Sequence, residues 1–252
     1  MNLILFFLIG ACFGSFSNVV IYRYPFILGF HPDKKKISFL SFPSSFCPQC
    51  KNKIPWYHNI PILSFVILMA RCHACKKPIA IHYFMNEIMT ASFFTYSYVL
   101  FGLGYELFLL NLFFLFSLVL FWIDFKFLIL PNLLNYSLIG LGLIFNFYGG
   151  WVNLNDALIG ALVGYLFLWS LYKIHHHFTQ KEGMGYGDFK LLAAQGAWFG
   201  WEALPIIGTL ASILGLAHFY FLLKRKQIKI NEAIPFGPSI ILGGMLYLFL
   251  IA

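Results

Sequence analysis

Apolar positions along this chain do not alternate or recur with a helical stripe. They run together, at 2–22, 84–101, 107–123, 133–148, 157–174, 191–223 and 234–252, with short polar segments between them. A helix that is apolar all round belongs in a lipid or fully buried setting. Each clean run is long enough to cross about 30 Å of hydrocarbon as a helix, with tilt where needed. The run at 191–223 is 33 residues long and is broken near Glu202 and Pro205. It predicts a hairpin of two helices whose first arm, ending about Trp201, is short for a full crossing. The segment 60–70 is apolar over only 11 residues, too few to span. It packs inside its loop or lies along the membrane interface.

Charge turns these runs into a topology. Of 17 Lys and Arg, nine lie between Arg23 and Lys77, namely Arg23, Lys34, Lys35, Lys36, Lys51, Lys53, Arg71, Lys76 and Lys77, and four more lie in 224–229. Basic clusters flanking apolar spans mark cytoplasmic loops. With 23–82 and 224–233 both inside, an even number of crossings separates them, so 191–223 crosses twice and the total is eight. Lys126, Lys173, Lys181 and Lys190 then also fall inside, while the outer turns carry Glu106, Asp156 and Glu202 and no basic residue. Both termini are expected outside. The first run lacks a basic leader region and an Ala-x-Ala-like site, so it is expected to remain as a span rather than act as a cleaved signal.

Composition agrees with this reading. The chain has 252 residues, 60% of them apolar and only 10% charged, against about 25% charged in a soluble domain. An ordinary soluble enzyme, intrinsic disorder and collagen are excluded. The net charge of +8 is placed at membrane-flanking loops, which argues against nucleic-acid binding. The expected fold is an all-α polytopic integral membrane protein of about eight transmembrane helices. A first span at 1–22 precedes a cytoplasmic zinc-knuckle insert at 23–82, and 83–252 forms a membrane core.

The insert holds Cys47-Pro-Gln-Cys50 and, 21 residues later, Cys72-His-Ala-Cys75. A reducing compartment disfavours disulfides. Two such knuckles match a four-thiolate zinc site, each tight turn supplying two soft ligands. Four protein ligands leave no open position, so such a zinc is structural. Redox dithiols or unliganded thiols are the alternative. His58 and His73 are read as surface histidines, since four thiolates suffice.

Ionisable groups beside apolar spans call for an explanation. Asp124 ends the third span, and Asp188, in Gly185-Tyr-Gly-Asp-Phe-Lys190, precedes the sixth. The topology puts both at cytoplasmic helix ends, at one depth. Two facing carboxyls in low dielectric titrate as a coupled pair, and one protonated with one ionised carboxyl is the equipment of an aspartic protease. The competing reading is two helix-end residues, with Asp188 an N-cap. Glu87, early in the second span, pairs with a basic loop residue, lines the site, or is merely interfacial. His175, His176 and His177 are read as loop histidines rather than metal ligands.

In order and spacing these residues resemble the bacterial prepilin leader peptidase/N-methyltransferase family, the type IV prepilin peptidases with a Gly-x-Gly-Asp motif. The resemblance runs nearly end to end. It is carried by Gly14-Ser-Phe-Ser-Asn-Val-Val-Ile-Tyr-Arg-Tyr-Pro25, the double Cys-x-x-Cys insert with Asn59-Ile-Pro-Ile-Leu-Ser64 between its knuckles, Glu87, Asp124, the Gly185–Lys190 motif and Ile234-Pro-Phe-Gly-Pro238. It implies an intramembrane-type aspartic endopeptidase with Asp124 and Asp188 catalytic, supported by Gly185, Gly187, Lys190 and Glu87, and with Cys47, Cys50, Cys72 and Cys75 as metal ligands. Its implied substrates are type IV prepilins and pseudopilins, cut after a glycine at the cytoplasmic face of the bacterial inner membrane. It also implies S-adenosylmethionine as methyl donor for the new N-terminus. The family pattern commonly has Ile-Pro-Asp where this chain has Leu130-Pro131-Asn132. A peptidase without methyl transfer, and a non-enzymatic transporter or scaffold, are the other readings. A transporter would place its ionisable groups nearer the midplane.

Overall fold

The computed structural model describes residues 2–30, 44–180, 183–225 and 233–251. Lys34, Lys35, Lys36, Lys181, Lys226 and Lys229 of the basic clusters, and Ala252, lie outside the described residues. Nine α-helices are described: α1 Asn2–Ile27, α2 Leu63–Ile67, α3 Ile81–Phe101, α4 Tyr105–Phe127, α5 Asn132–Phe147, α6 Leu154–Thr179, α7 Tyr186–Phe199, α8 Leu204–Lys224 and α9 Gly237–Ile251. A 3-10 turn covers Trp56–His58, and the only β pairing among the described residues is two isolated bridges, Phe46 with Lys53 and Arg71 with Pro78.

A helix occupies each of the eight expected stretches. Four of these helices, α1, α4, α6 and α8, are long and apolar enough to cross a membrane, and α5 and α9 are shorter apolar helices. α1 continues past the expected end at 22 to Ile27, so Arg23 is helical and buried. The three histidines 175–177 also differ from expectation. They lie in the last turns of α6, not in a loop, because the helix runs on to a left-handed cap at Gln180.

The chain divides into two compact units, Met1–Val119 and Leu120–Ala252. In the first, α1 packs on α3 through small residues four apart. A Cβ at Gly10 would lie 2.7 Å from Ala91 Cα, and one at Gly14 would lie 2.8 Å from Glu87 Cα. Such close approach is how helices associate where lipid supplies no hydrophobic drive between them. Asn86 donates to Asn18 Oδ1 at 2.7 Å, and Asn18 donates to Tyr83 O at 3.1 Å. An amide pair among apolar side chains fixes the register of the two helices.

In the second unit α7 is the centre, packed by α5, α6, α8 and α9. Every residue from Leu191 to Phe199 is buried, which explains a sequence apolar on all sides. Its 14 residues reach only about 21 Å. That shortness is tolerated because protein, not lipid, surrounds it. Polar bonds hold it to α5: Trp198 donates to Leu138 O at 2.9 Å, and Asn146 donates to Ala197 O at 2.8 Å and Trp198 O at 3.0 Å. The last two answer carbonyls that the helix end leaves without intrahelical partners. The Trp198 indole lies against Gly142, where a Cβ would meet it at 2.6 Å.

Candidate functional site

Asp124 sits in the last turn of α4 and is 5% exposed. The helix ends there because Leu128 adopts φ 56°, and its N–H returns to Asp124 O at 2.8 Å. A non-glycine residue in this region costs on the order of 1–3 kcal/mol. The turn carries the chain through Leu130 and Pro131 into α5. One oxygen of Asp124, Oδ2, accepts the N–H of Gly237 at 3.0 Å. Gly237 is the first residue of α9, so its N–H is one that the helix cannot satisfy itself.

Asp188 is 8% exposed and lies in the first turn of α7. It is not the N-cap: Gly185 holds that place, and the N–H of Asp188 donates to Gly185 O at 3.2 Å. The carboxyl of Asp188 interacts electrostatically with Asp124, and its Oδ1 is buried without a hydrogen-bond partner. Leu130 lies against Gly187, the neighbour of Asp188, and Gly237, the partner of Asp124. A Cβ at Gly187 would come within 2.6 Å of Leu130 Cβ, and one at Gly237 within 3.2 Å of Leu130 Cδ1 and 2.7 Å of Asp124 Oδ2. No side chain fits at either glycine without displacing this arrangement. Lys190 donates to Asn132 Oδ1 at 2.6 Å and stands 5.2 Å from the Tyr136 ring centroid. Asn135, fully buried, reaches Gly187 O at 3.5 Å. Two buried carboxyls that feel each other's charge can pass a proton in each direction, the requirement of acid–base hydrolysis.

The sequence reading missed Asn135, and it quoted Leu130 and Gly237 only as parts of motifs. Nothing in residue type marks Leu130 as more than another apolar residue. Gly237, followed by proline at a helix start, carries the recognisable signal of a helix N-terminus.

In the first unit the sulfur atoms of Cys47, Cys50, Cys72 and Cys75 lie within 4.8 Å of one another, and none is in a disulfide. The two knuckles are built alike. Cys47 N–H donates to Asn52 O and Lys51 N–H to Cys47 O; Cys72 N–H donates to Lys77 O and Lys76 N–H to Cys72 O. Lys51 and Lys76, each directly after the second cysteine of its pair, have φ 61° and 58°. This backbone turns the sulfurs of each pair to one side. A tetrahedral zinc with Zn–S of about 2.3 Å needs sulfurs about 3.8 Å apart, so the cluster fits the ion. The backbone N–H of Cys75, with that of Ala74, favours the Cys72 thiolate and lowers that thiol to about 7. The His58 and His73 rings lie 4.6 Å apart, tilted by 42°, outside the four-sulfur group.

A cavity of about 420 Å³ lies beside this cluster, lined by Asn18, Tyr22, Arg23, Phe65, Tyr83 and Glu87 among others. Glu87 lines this cavity, in the first unit, whereas the site expected for it is that of Asp124 and Asp188 in the second. Its Oε2 accepts the backbone N–H of Ile62 at 2.7 Å. The glutamate therefore ties the insert to α3 through a peptide group rather than through a basic side chain.

Comparison with known proteins agrees over nearly the whole length. The model of the bacterial peptidase A24 N-terminal domain matches residues 8–101, and that of the type IV leader peptidase family matches 111–220. A protein of Aeromonas hydrophila named prepilin leader peptidase/N-methyltransferase is 40% identical, covering 97% of this chain and 89% of its own. Proteins of the same name from Pseudomonas putida and Klebsiella pneumoniae are 38% and 43% identical, over 94% and 82% of this chain and 86% and 89% of theirs. No solved structure matches the chain.

Proposed function

The chain belongs to the type IV leader peptidase family, and from that premise we propose that it is a bacterial inner-membrane aspartic endopeptidase. It removes the basic leader from type IV prepilins and pseudopilins at the cytoplasmic face, then methylates the new N-terminus. α1 and α3 to α9 are its eight crossings. The relatives' shared name carries both activities. The observation that carries the peptidase is two carboxyls, Asp124 and Asp188, buried in one unit, with Leu130 packed against Gly187 next to one and Gly237 bonded to the other.

Asp124 and Asp188 act as one pair. The ionised carboxyl takes a proton from water as its oxygen attacks the scissile carbonyl carbon, and the protonated carboxyl donates to the carbonyl oxygen. Collapse breaks the C–N bond, and the leaving amine takes up a proton held by the pair. Gly237 N–H keeps Asp124 oriented through one oxygen. Gly185 leaves room beside the Asp188 carboxyl for an extended substrate, Gly187 lets Leu130 pack against the α7 backbone, and Lys190 ties α7 to the start of α5 through Asn132.

The four cysteines hold one zinc, which braces the insert and has no open position for chemistry. S-adenosylmethionine fits the cavity of the first unit by size and lining. Asn18, Tyr22, Tyr83 and Glu87 would hold it, the carboxylate answering its positive charge and the rings its purine. When bound, it supplies an electrophilic methyl group. The receiving amine must be neutral, and its ordinary pKa near 7.7–8.0 leaves a workable fraction, with Glu87 placed to take the proton.

The test is purified enzyme incubated with prepilin and labelled S-adenosylmethionine. Leader removal with label at the new N-terminus is expected. Full cleavage with no label would leave a peptidase alone, and no cleavage would remove the assignment.

A further inference from the structure

Between the two cysteine knuckles the chain has an inner and an outer side. On the inner side Phe65 stacks on Phe84 at 4.6 Å with ring planes 18° apart, the Ser64 hydroxyl donates to Tyr57 O, and Ile62 N–H donates to Glu87. The outer side is apolar and bare. Trp56 is 80% exposed, Ile67 72% and Met69 83%, with Tyr57, Leu63 and Val66 also exposed. A water-facing loop has no reason to present six large apolar side chains together.

The surroundings say what covers them. Phe84 lies in the first turn of α3, so α2 sits level with the start of that helix. At the insert's other root, Phe46 packs edge-on against Tyr22 of α1 at 6.2 Å. α1 is apolar enough to cross a membrane, so the outer side is held where helices enter the bilayer. Its charge fits anionic headgroups. Arg71 and Lys76 line one hollow with Ile67 and Met69, Lys51, Lys53 and Lys77 are exposed in the same insert, and residues 44–80 include no Asp or Glu. Aromatic residues at headgroup level with flanking cations are the pattern of an interfacial anchor.

We propose that Trp56, Tyr57, Leu63, Val66, Ile67 and Met69 form a membrane-interface anchor, seated roughly 5–10 Å into the headgroup and upper acyl layer of the bilayer the chain spans. The anchor fixes the height of the cysteine cluster and the cavity above the membrane. The inference rests on α1 and α3 being spans and does not depend on either enzymatic activity.

The test places the intact protein in nanodiscs of phosphatidylethanolamine and phosphatidylglycerol, with and without bromine on the upper acyl carbons. The emission of Trp56 is taken as the difference between the parent and Trp56→Phe. Quenching of that difference by brominated lipid is expected, together with its relief in Ile67→Glu and Met69→Glu. Metal retention by each variant shows that the insert stays folded. Trp56 emission unaffected by bromine and open to aqueous iodide would overturn the anchor. Emission shielded from both would assign the face to a protein surface and overturn it equally. Leader removal assayed in the same discs keeps failure of the anchor distinct from failure of the peptidase reading.

Discussion

The ammonium of Lys190 donates to the side-chain carbonyl of Asn132 at 2.6 Å, joining the second turn of α7 to the first residue of α5. Lys190 is two residues beyond Asp188, and Asn132 follows the turn that leaves Asp124. The bond therefore clamps the two segments that carry the acids. Where the resembling pattern has an aspartate, this chain keeps the acceptor oxygen and drops the charge.

Asn132→Asp is expected to leave leader removal near the parent rate, since an oxygen still meets Lys190. An exposed ion pair adds only about 0–1 kcal/mol, so thermal unfolding should scarcely move. Asn132→Leu removes the acceptor and should slow cleavage through kcat more than KM. Initial rates on prepilin in detergent decide it: Asn132→Leu at the parent's rate removes the clamp from catalysis.

Gly237→Ala should be far more damaging than a methyl group suggests. The added Cβ would lie 2.7 Å from Asp124 Oδ2 and 3.1 Å from its Cγ, so the carboxyl must swing away from its hydrogen-bond donor. Cleavage should fall by about a hundredfold, the scale of a misplaced reacting group. The protein should still accumulate in the membrane. Quantitative immunoblots of precursor and mature pilin measure it, and unaltered processing would contradict the role given to that contact.

Asp124→Asn and Asp188→Asn should each abolish leader removal. Each amide keeps the shape of the carboxyl but cannot exchange the proton, and acid–base work contributes roughly 10²–10⁴-fold per group. Because the pair acts as a unit, the double variant should be no worse than either single one. A single variant that still processes prepilin at the parent's rate would break the pairing.

Much of this arrangement was legible in the sequence, because hydrocarbon imposes a simple rule on the residues it touches. The helices fall on the apolar runs for that reason. The cysteine cluster was legible because its chemistry lies within two four-residue motifs. Leu130 was not, since its importance comes from glycines 57 and 107 positions away that meet it only in the fold. Nor was the bond from Glu87 to Ile62, because a backbone N–H is offered by every residue but proline, and only tertiary placement selects one. The shortness of α7 was visible. Its cause, burial among α5, α6, α8 and α9, required the structure.

Removing one thiolate should loosen the insert. Cys72→Ser is expected to lose zinc and to expose the region around residues 44–80 to protease, since metal-binding free energy is also folding free energy. Purified parent should carry about one zinc per chain by elemental analysis, as one closed four-thiolate site requires. Alkylation of all four thiols in the untreated parent would show the cluster to be metal-free.

Glu87→Gln separates the two activities. The carboxylate has two tasks in this fold. Its Oε2 accepts the N–H of Ile62 at 2.7 Å and holds the insert against α3, and its charge faces the cavity. Glutamine keeps a carbonyl oxygen for the first task and has no charge for the second. Glu87→Gln should therefore keep its zinc and its leader removal while N-terminal methylation falls sharply. Glu87→Ala should lose the docking bond as well, leaving Ile62 N–H without its acceptor at a cost of about 1–3 kcal/mol, and should show a looser insert. Asp124 and Asp188 belong to the other compact unit, so pre-cleaved pilin offered to Asp188→Asn should still be methylated. Mass spectrometry of the pilin N-terminus reads both reactions at once. Full methylation by Glu87→Gln would remove the glutamate from the transfer, and loss of methylation in Asp188→Asn on pre-cleaved pilin would tie both reactions to the aspartates.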